Sequence, residues 1–232
     1  MQKYSILFLF FLTPHIIFSQ KKSKNSPSYF CGFSVSDTTE MRQYYDRQLK
    51  FLKISDNDSV VDIGAQSGNY EGILSVIGNF KNVNFFLVDI DSNCLSKGKI
   101  NNMVQYYEAK SGKTFKNNFI LINNTVDSLW LPLNTFKKVW ILNTLHEIPD
   151  KQKMIKDIFN ILSPGGEIII LELMATKKHS VHRVCKNPLL TKDMIDKIAT
   201  KNGFTFKDEF INPVTVRKMR NPMYMFRYIK TN

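Results

Sequence analysis

Five short apolar runs, Val60–Ile63, Phe85–Ile90, Phe119–Ile122, Val139–Leu142 and Ile168–Leu173, recur along the chain and constrain its fold most strongly. They are rich in Val, Ile and Phe and read as strands buried on both faces. Helical patterns lie between them. Met154, Ile155, Ile158, Phe159 and Leu162 share one side of an amphipathic helix whose other side carries lysines, and Ser163-Pro164-Gly165-Gly166 ends it. A helix from about Thr39 to Leu52 precedes the first run, and another starts after Thr191 as N-cap and stops at Gly203. Two further strands, around Phe204–Phe210 and Tyr224–Lys230, close the chain. Strands alternating with helices predict an α/β fold, a mostly parallel sheet with helices on both faces.

The 232 residues allow one such domain plus appendages. Residues 1–19 carry Lys3, an apolar run from Ile6 to Leu12 and a second from Ile16 to Phe18, ending at Ser19–Gln20. That run is short for a membrane span and suits a signal peptide. Export to the periplasm or outside the cell is therefore expected. The alternative is an uncleaved anchor, where Lys21, Lys22 and Lys24 would favour a cytoplasmic domain and membrane association through this segment. Residues 20–36, Ser- and Lys-rich with Pro27, read as a linker, which leaves 37–232 as the folded domain. Cys31, Cys94 and Cys185 form an odd, widely spaced set that shows no disulfide framework and no Cys-x-x-Cys pair. The net charge of +12 is spread along the chain and reads as a solvated basic surface, with no nucleic-acid partner expected. Nothing in the sequence fixes the oligomeric state.

The stretch from Ser59 to Gly78 runs from a strand into a glycine-bearing turn and then a helix, where backbone amides can meet a polar ligand. A dinucleotide fingerprint needs glycines at 64, 66 and 69, and only Gly64 meets it. Asp62-Ile63-Gly64-Ala65-Gln66-Ser67-Gly68 instead resembles the first motif of the class I S-adenosylmethionine-dependent methyltransferases. Asp89 at the end of the second strand, the loop after the third, and the order of fourth strand, helix, Leu-Ser-Pro-Gly-Gly turn and fifth strand are similar to that family over about residues 55–173. The resemblance implies a Rossmann-like, seven-stranded sheet with an antiparallel C-terminal strand.

It also implies S-adenosylmethionine as cofactor. Asp62 would receive the methionine amino group, with Gly64, Ala65, Gln66 and Gly68 forming the loop that approaches it. Asp89 would hold the ribose, and Ile90 would lie on the adenine. Val126 would offer its amide to the base, with Asp127 standing in for an acid where Thr125 departs from the family pattern. Asn143 would sit at the methionine end. Gln66, where the family usually has glycine, is a second departure.

Open parallel sheets bind ligands beyond the carboxyl ends of their strands, which is where His146, Glu147, His179 and His182 fall. His146 or Glu147 is expected to remove a proton from the acceptor, with His179 and His182 shaping the substrate pocket. His179, His182 and Cys185, spaced by three, would share a face if helical and could then ligate a metal, but no metal is expected. The fourth-strand loop lacks the prolines and aromatic of base-modifying relatives and resembles small-molecule methyltransferases, including those of quinone biosynthesis. The expected activity is methyl transfer to an O, N or C atom of a small molecule. The rivals are an exported non-catalytic binding protein on the same fold and an RNA methyltransferase.

Overall fold

The computed structural model describes residues 30–125, 128–212 and 221–231. Helix α1 (Thr38–Leu52) leads into β1 (Ser59–Ile63), α2 (Asn69–Ile77), β2 (Asn84–Asp89), α3 (Lys97–Ser111), β3 (Asn118–Asn123) and β4 (Phe136–Leu142). After these come α4 (Lys151–Ile161), β5 (Leu162–Leu173), α5 (Lys192–Lys201), β6 (Phe204–Asn212) and β7 (Met223–Lys230). The strands form one sheet in the order β3-β2-β1-β4-β5-β7-β6. β1 to β5 pair in parallel, and β7 runs antiparallel to both β5 and β6. This is the expected α/β, Rossmann-like methyltransferase sheet with its antiparallel C-terminal strand.

Successive strand residues point to opposite faces, so each central strand feeds two cores. Val60, Phe85, Trp140 and Ile169 pack under α1, α2 and α3 through Met41, Leu52, Ile73, Leu74 and Met103. Val61, Val139, Ile141, Ile168 and Ile170 pack under α4 and α5 through Ile155, Ile158, Ile195 and Ala199. The helices are stopped and started locally: Asp37, Asp150 and Thr191 accept the amides of Glu40, Lys153 and Met194. The Ser-Pro-Gly-Gly turn does more than end α4. It is absorbed as a bulge at the start of β5, whose register against β4 shifts between Phe136 and Lys138.

Three expectations change. Residues of β3 are half-buried, not buried on both faces, because the strand lies at the sheet edge with β2 as its one neighbour. Residues 30–36 are not a linker. Phe30 and Val35 are buried in the core under α3, where Phe30 meets the rings of Tyr106 and Tyr107. The cysteines are not all free either: Cys31 and Cys94 form a disulfide that pins this segment to the loop after β2. Sixty-three positions separate them, so spacing alone gave no cue. The proposed leader, 1–19, and residues 20–29 of the linker lie outside the described residues. Among the described residues no helix is long and apolar enough to cross a membrane.

Candidate active site

A cavity of about 980 Å3 opens beyond the carboxyl ends of β1, β2 and β4, where the strand order reverses. Its floor is the loop from Gly64 to Gln66. The Gly64 and Ala65 amides donate to Val88 O at 2.8 and 3.2 Å, and the Gln66 amide donates to Asp89 Oδ2 at 2.8 Å. The loop is thereby tied to the end of β2. Gly64 has φ +83°, and a Cβ there would stand 2.3 Å from Thr144 Oγ1, so the turn after β4 can sit against it only because the side chain is missing.

Asp89 is the hub of this end. Its Oδ1 accepts the Asp91 amide at 2.9 Å while Oδ2 holds Gln66, and a carboxylate with about four acceptor sites still has room for hydroxyl donors. Ile90, beside it, is 62% exposed into the same opening. Asp62 is fully enclosed. Burial first, and then the charge of Glu71, hold its carboxyl well above the usual carboxylate range. Asp62 Oδ1, Asn124 Oδ1 and Asn143 Oδ1 are buried without a hydrogen-bond donor among the described residues, although all three residues line the cavity. Unpaired buried acceptors each cost about 1–3 kcal/mol, and a ligand bearing an ammonium, an amino group or hydroxyls would satisfy them.

The far end of the cavity is built from the segments after β4 and β5. The turn Leu145–Glu147 follows Asn143 and Thr144, and Glu147 and His182 face the cavity together. His146 is behind them, its side chain fully buried. Glu172 of β5 accepts both its backbone amide, at 3.2 Å, and its Nδ1–H, at 2.8 Å. Burial alone would push the His146 ring down, but this hydrogen bond and the Glu172 charge outweigh it and raise its pKa. Burial and then the charge of His146 lower that of His182.

The family profile described as methyltransferase domain matches residues 54–223, more than half of the chain. The chain belongs to that family. A stretch of 71 residues is 32% identical to a demethylmenaquinone methyltransferase of Geobacillus sp. (strain WCH70), covering 31% of this chain and 30% of that relative's length. Among solved structures, an S-adenosylmethionine-dependent methyltransferase from Methanosarcina mazei superposes with a TM-score of 0.60 at 17% identity, over 79% of this chain and 97% of the other. One from Aquifex aeolicus superposes with a TM-score of 0.56 at 16% identity, over 84% and 99%. Another neighbour of the same fold, at TM-score 0.58 and 12% identity over 88% and 86%, is the [4+2]-cyclase SpnF.

Asp62, Gly64, Ala65, Gln66, Asp89, Ile90 and Asn143 all line the cavity. Gly68 does not. It starts α2 at φ +71°, and a Cβ there would meet Leu87 Cδ1 at 2.7 Å, so its role is the tight turn and helix packing. Val126 and Asp127 lie outside the described residues. His146 is not among the lining residues; its side chain is fully buried beside Glu147 and His182, which are. His179 is not among the lining residues. Its amide turns back onto Thr176 and its carbonyl accepts from Asn221, and the segment around it is turns and bridges, so the helical face proposed for His179, His182 and Cys185 does not form.

Residues the sequence reading missed form the roof. Gly32 to Val35 and Tyr44, Tyr45 and Gln48 of α1 close the cavity from above, with Phe33 stacked on Tyr45.

Proposed function

We propose that this enzyme transfers the methyl group of S-adenosylmethionine to an O, N or C atom of a small molecule. The observation that carries the reading is one continuous cavity. It runs from Asp89 and Ile90, past the unpaired oxygens of Asp62 and Asn143, to Glu147 and His182. When bound, S-adenosylmethionine supplies an electrophilic methyl group on a sulfonium. Asp89 binds the ribose hydroxyls, Ile90 covers the adenine, and Asp62 with Asn143 receives the ammonium group. Glu147 takes the proton of the acceptor, and His182 orients it. Enclosure by the 30–36 segment and α1 favours a small acceptor, and catalysis comes chiefly from holding acceptor and methyl group in line.

Calorimetric titration with S-adenosylmethionine and S-adenosylhomocysteine tests the donor site. Micromolar binding that disappears in Asp89→Ala is expected. A folded protein that binds neither compound would sink the reading and favour a non-catalytic binding protein. Methylation of RNA with no turnover of small hydroxylated or quinol acceptors would overturn the substrate class.

The same proposal places the domain outside the cytoplasm. It is supported by the apolar leader and by the Cys31–Cys94 disulfide, a bond that persists in oxidising compartments. Thiol trapping of the protein in its native cells checks this. Fully reduced Cys31 and Cys94 would refute it.

A further inference from the structure

We propose that His146, Glu147, His182 and Cys185 bind a transition-metal ion of the zinc class at the acceptor end of the cavity. One donor atom from each of the four lies within 4.8 Å of the others. They come from two separate segments, the turn after β4 and the loop after β5, which the fold brings face to face; the His146 and His182 ring centroids are 4.7 Å apart.

The deciding feature is His146 Nε2. Glu172 takes the Nδ1–H at 2.8 Å, so the lone pair resides on Nε2. That nitrogen is buried and has no hydrogen-bond partner among the described residues. Its nearest carboxylate oxygen, Glu147 Oε1, is 3.7 Å away, too far for a hydrogen bond. Two ligands on a tetrahedral ion with bonds of about 2.0–2.2 Å stand roughly 3.4 Å apart, so the spacing that fails as a hydrogen bond fits a shared ion. Glu172 completes the pattern, since a ligating imidazole commonly gives its second N–H to a carboxylate that fixes its orientation. On the other side, His182 Nδ1 is hydrogen-bonded to Cys185, to Sγ at 3.0 Å and accepting the amide at 3.4 Å, which holds a second imidazole beside a thiol. Two imidazoles, a thiolate and a carboxylate suit zinc and exclude the hard, oxygen-seeking cations.

The consequence for chemistry rests on the methyltransferase reading. Glu147 is the donor most open to solvent, with its side chain 49% exposed, and it lines the cavity beside His182. An acceptor hydroxyl that replaces it on the ion gives its proton to the freed Glu147 carboxylate. Its oxygen then bonds to the methyl carbon as the methyl–sulfur bond breaks, leaving the electron pair on the sulfur of S-adenosylhomocysteine. Acceptors with a coordinating hydroxyl are therefore the favoured class.

The test loads the metal-free full chain with cobalt(II) chloride and records the absorption spectrum. Expected are the strong visible bands of a tetrahedral ion with a near-ultraviolet sulfur-to-cobalt band, all removed by added zinc. Cys185→Ser, at a partly exposed position, should lose the sulfur band while its circular dichroism stays native. Glu172→Gln should weaken zinc binding about 10–100-fold. His179→Ala should leave the spectrum intact. A folded chain that retains no cobalt, or a sulfur band that survives in Cys185→Ser, would overturn the site. Calorimetry on the same sample separates the two ideas: S-adenosylmethionine binding without cobalt binding sinks the ion alone, and the ion bound without any donor binding upholds the site and sinks its catalytic role.

Discussion

The two ends of the cavity are built by different means. At the Asp89 end the backbone does the work: the Gly64, Ala65 and Gln66 amides are spent on Val88 O and Asp89, and a missing Cβ lets Thr144 close in. At the His146 end side chains do it, through Glu172, His146, Glu147, His182 and Cys185. A backbone-built end tolerates few substitutions, because the constraints are φ angles and van der Waals contact. The side-chain end can change its chemistry while the sheet beneath stays the same. One fold can thus keep a common backbone-built end and vary the side chains at the other.

The comparison can be broken at several points. The largest effect is expected from removing the covalent pin over the Asp89 end. Replacing Cys31 and Cys94 by Ser opens a loop of 63 positions, and denaturant unfolding should show a loss of about 4 kcal/mol. Next is Gly64→Ala, which combines a disfavoured φ with a clash against Thr144 and should cost about 3 kcal/mol. Adding Thr144→Gly should restore the clash part and leave the φ part; no recovery would show that the Thr144 contact is not what demands glycine.

Glu172→Ala should cost about 2 kcal/mol, since the His146 amide and Nδ1–H lose their acceptor. If the two ends are independent, donor affinity measured by calorimetry stays within about twofold. A larger drop would merge them into one unit.

The smallest effect concerns protons. Burial and the Glu71 charge raise the Asp62 pKa in the free protein, and a bound ammonium lowers it again, so binding releases protons. Affinity therefore rises with pH between the bound and free pKa values, by at most about tenfold per unit. Titrations in buffers of different ionisation heat should detect this release, and Glu71→Gln should reduce it.

Much of the Asp89 end was legible in the sequence because its determinants are local. Asp62 to Gln66 sit on consecutive positions, and Asp89 and Asn143 sit at strand ends that the apolar runs mark. Strands β1, β2, β4 and β5 were evident for the same reason. Helix α3 was not, since its buried residues Ile100, Met103, Tyr106 and Tyr107 are diluted by polar neighbours. Gly68 belongs to the motif yet packs against Leu87 and does not line the cavity, a distinction the sequence hides because a turn glycine reads the same in either role.

The His146 end was only half visible. The spacing of His179, His182 and Cys185 suggested a cluster, but the chain there is not helical, and its true partners, His146 and Glu147, come from another loop. The roof was missed altogether: a Ser- and Lys-rich segment looked unstructured until its disulfide and the burial of Phe30 and Val35 showed what holds it.

By itself the sequence determined the periodicities, the caps and the strand-end motif, since these depend on neighbours within a few positions. Tertiary structure alone decided which histidine is buried, which cysteines pair and which side chains converge, because those depend on where separate loops meet above one sheet.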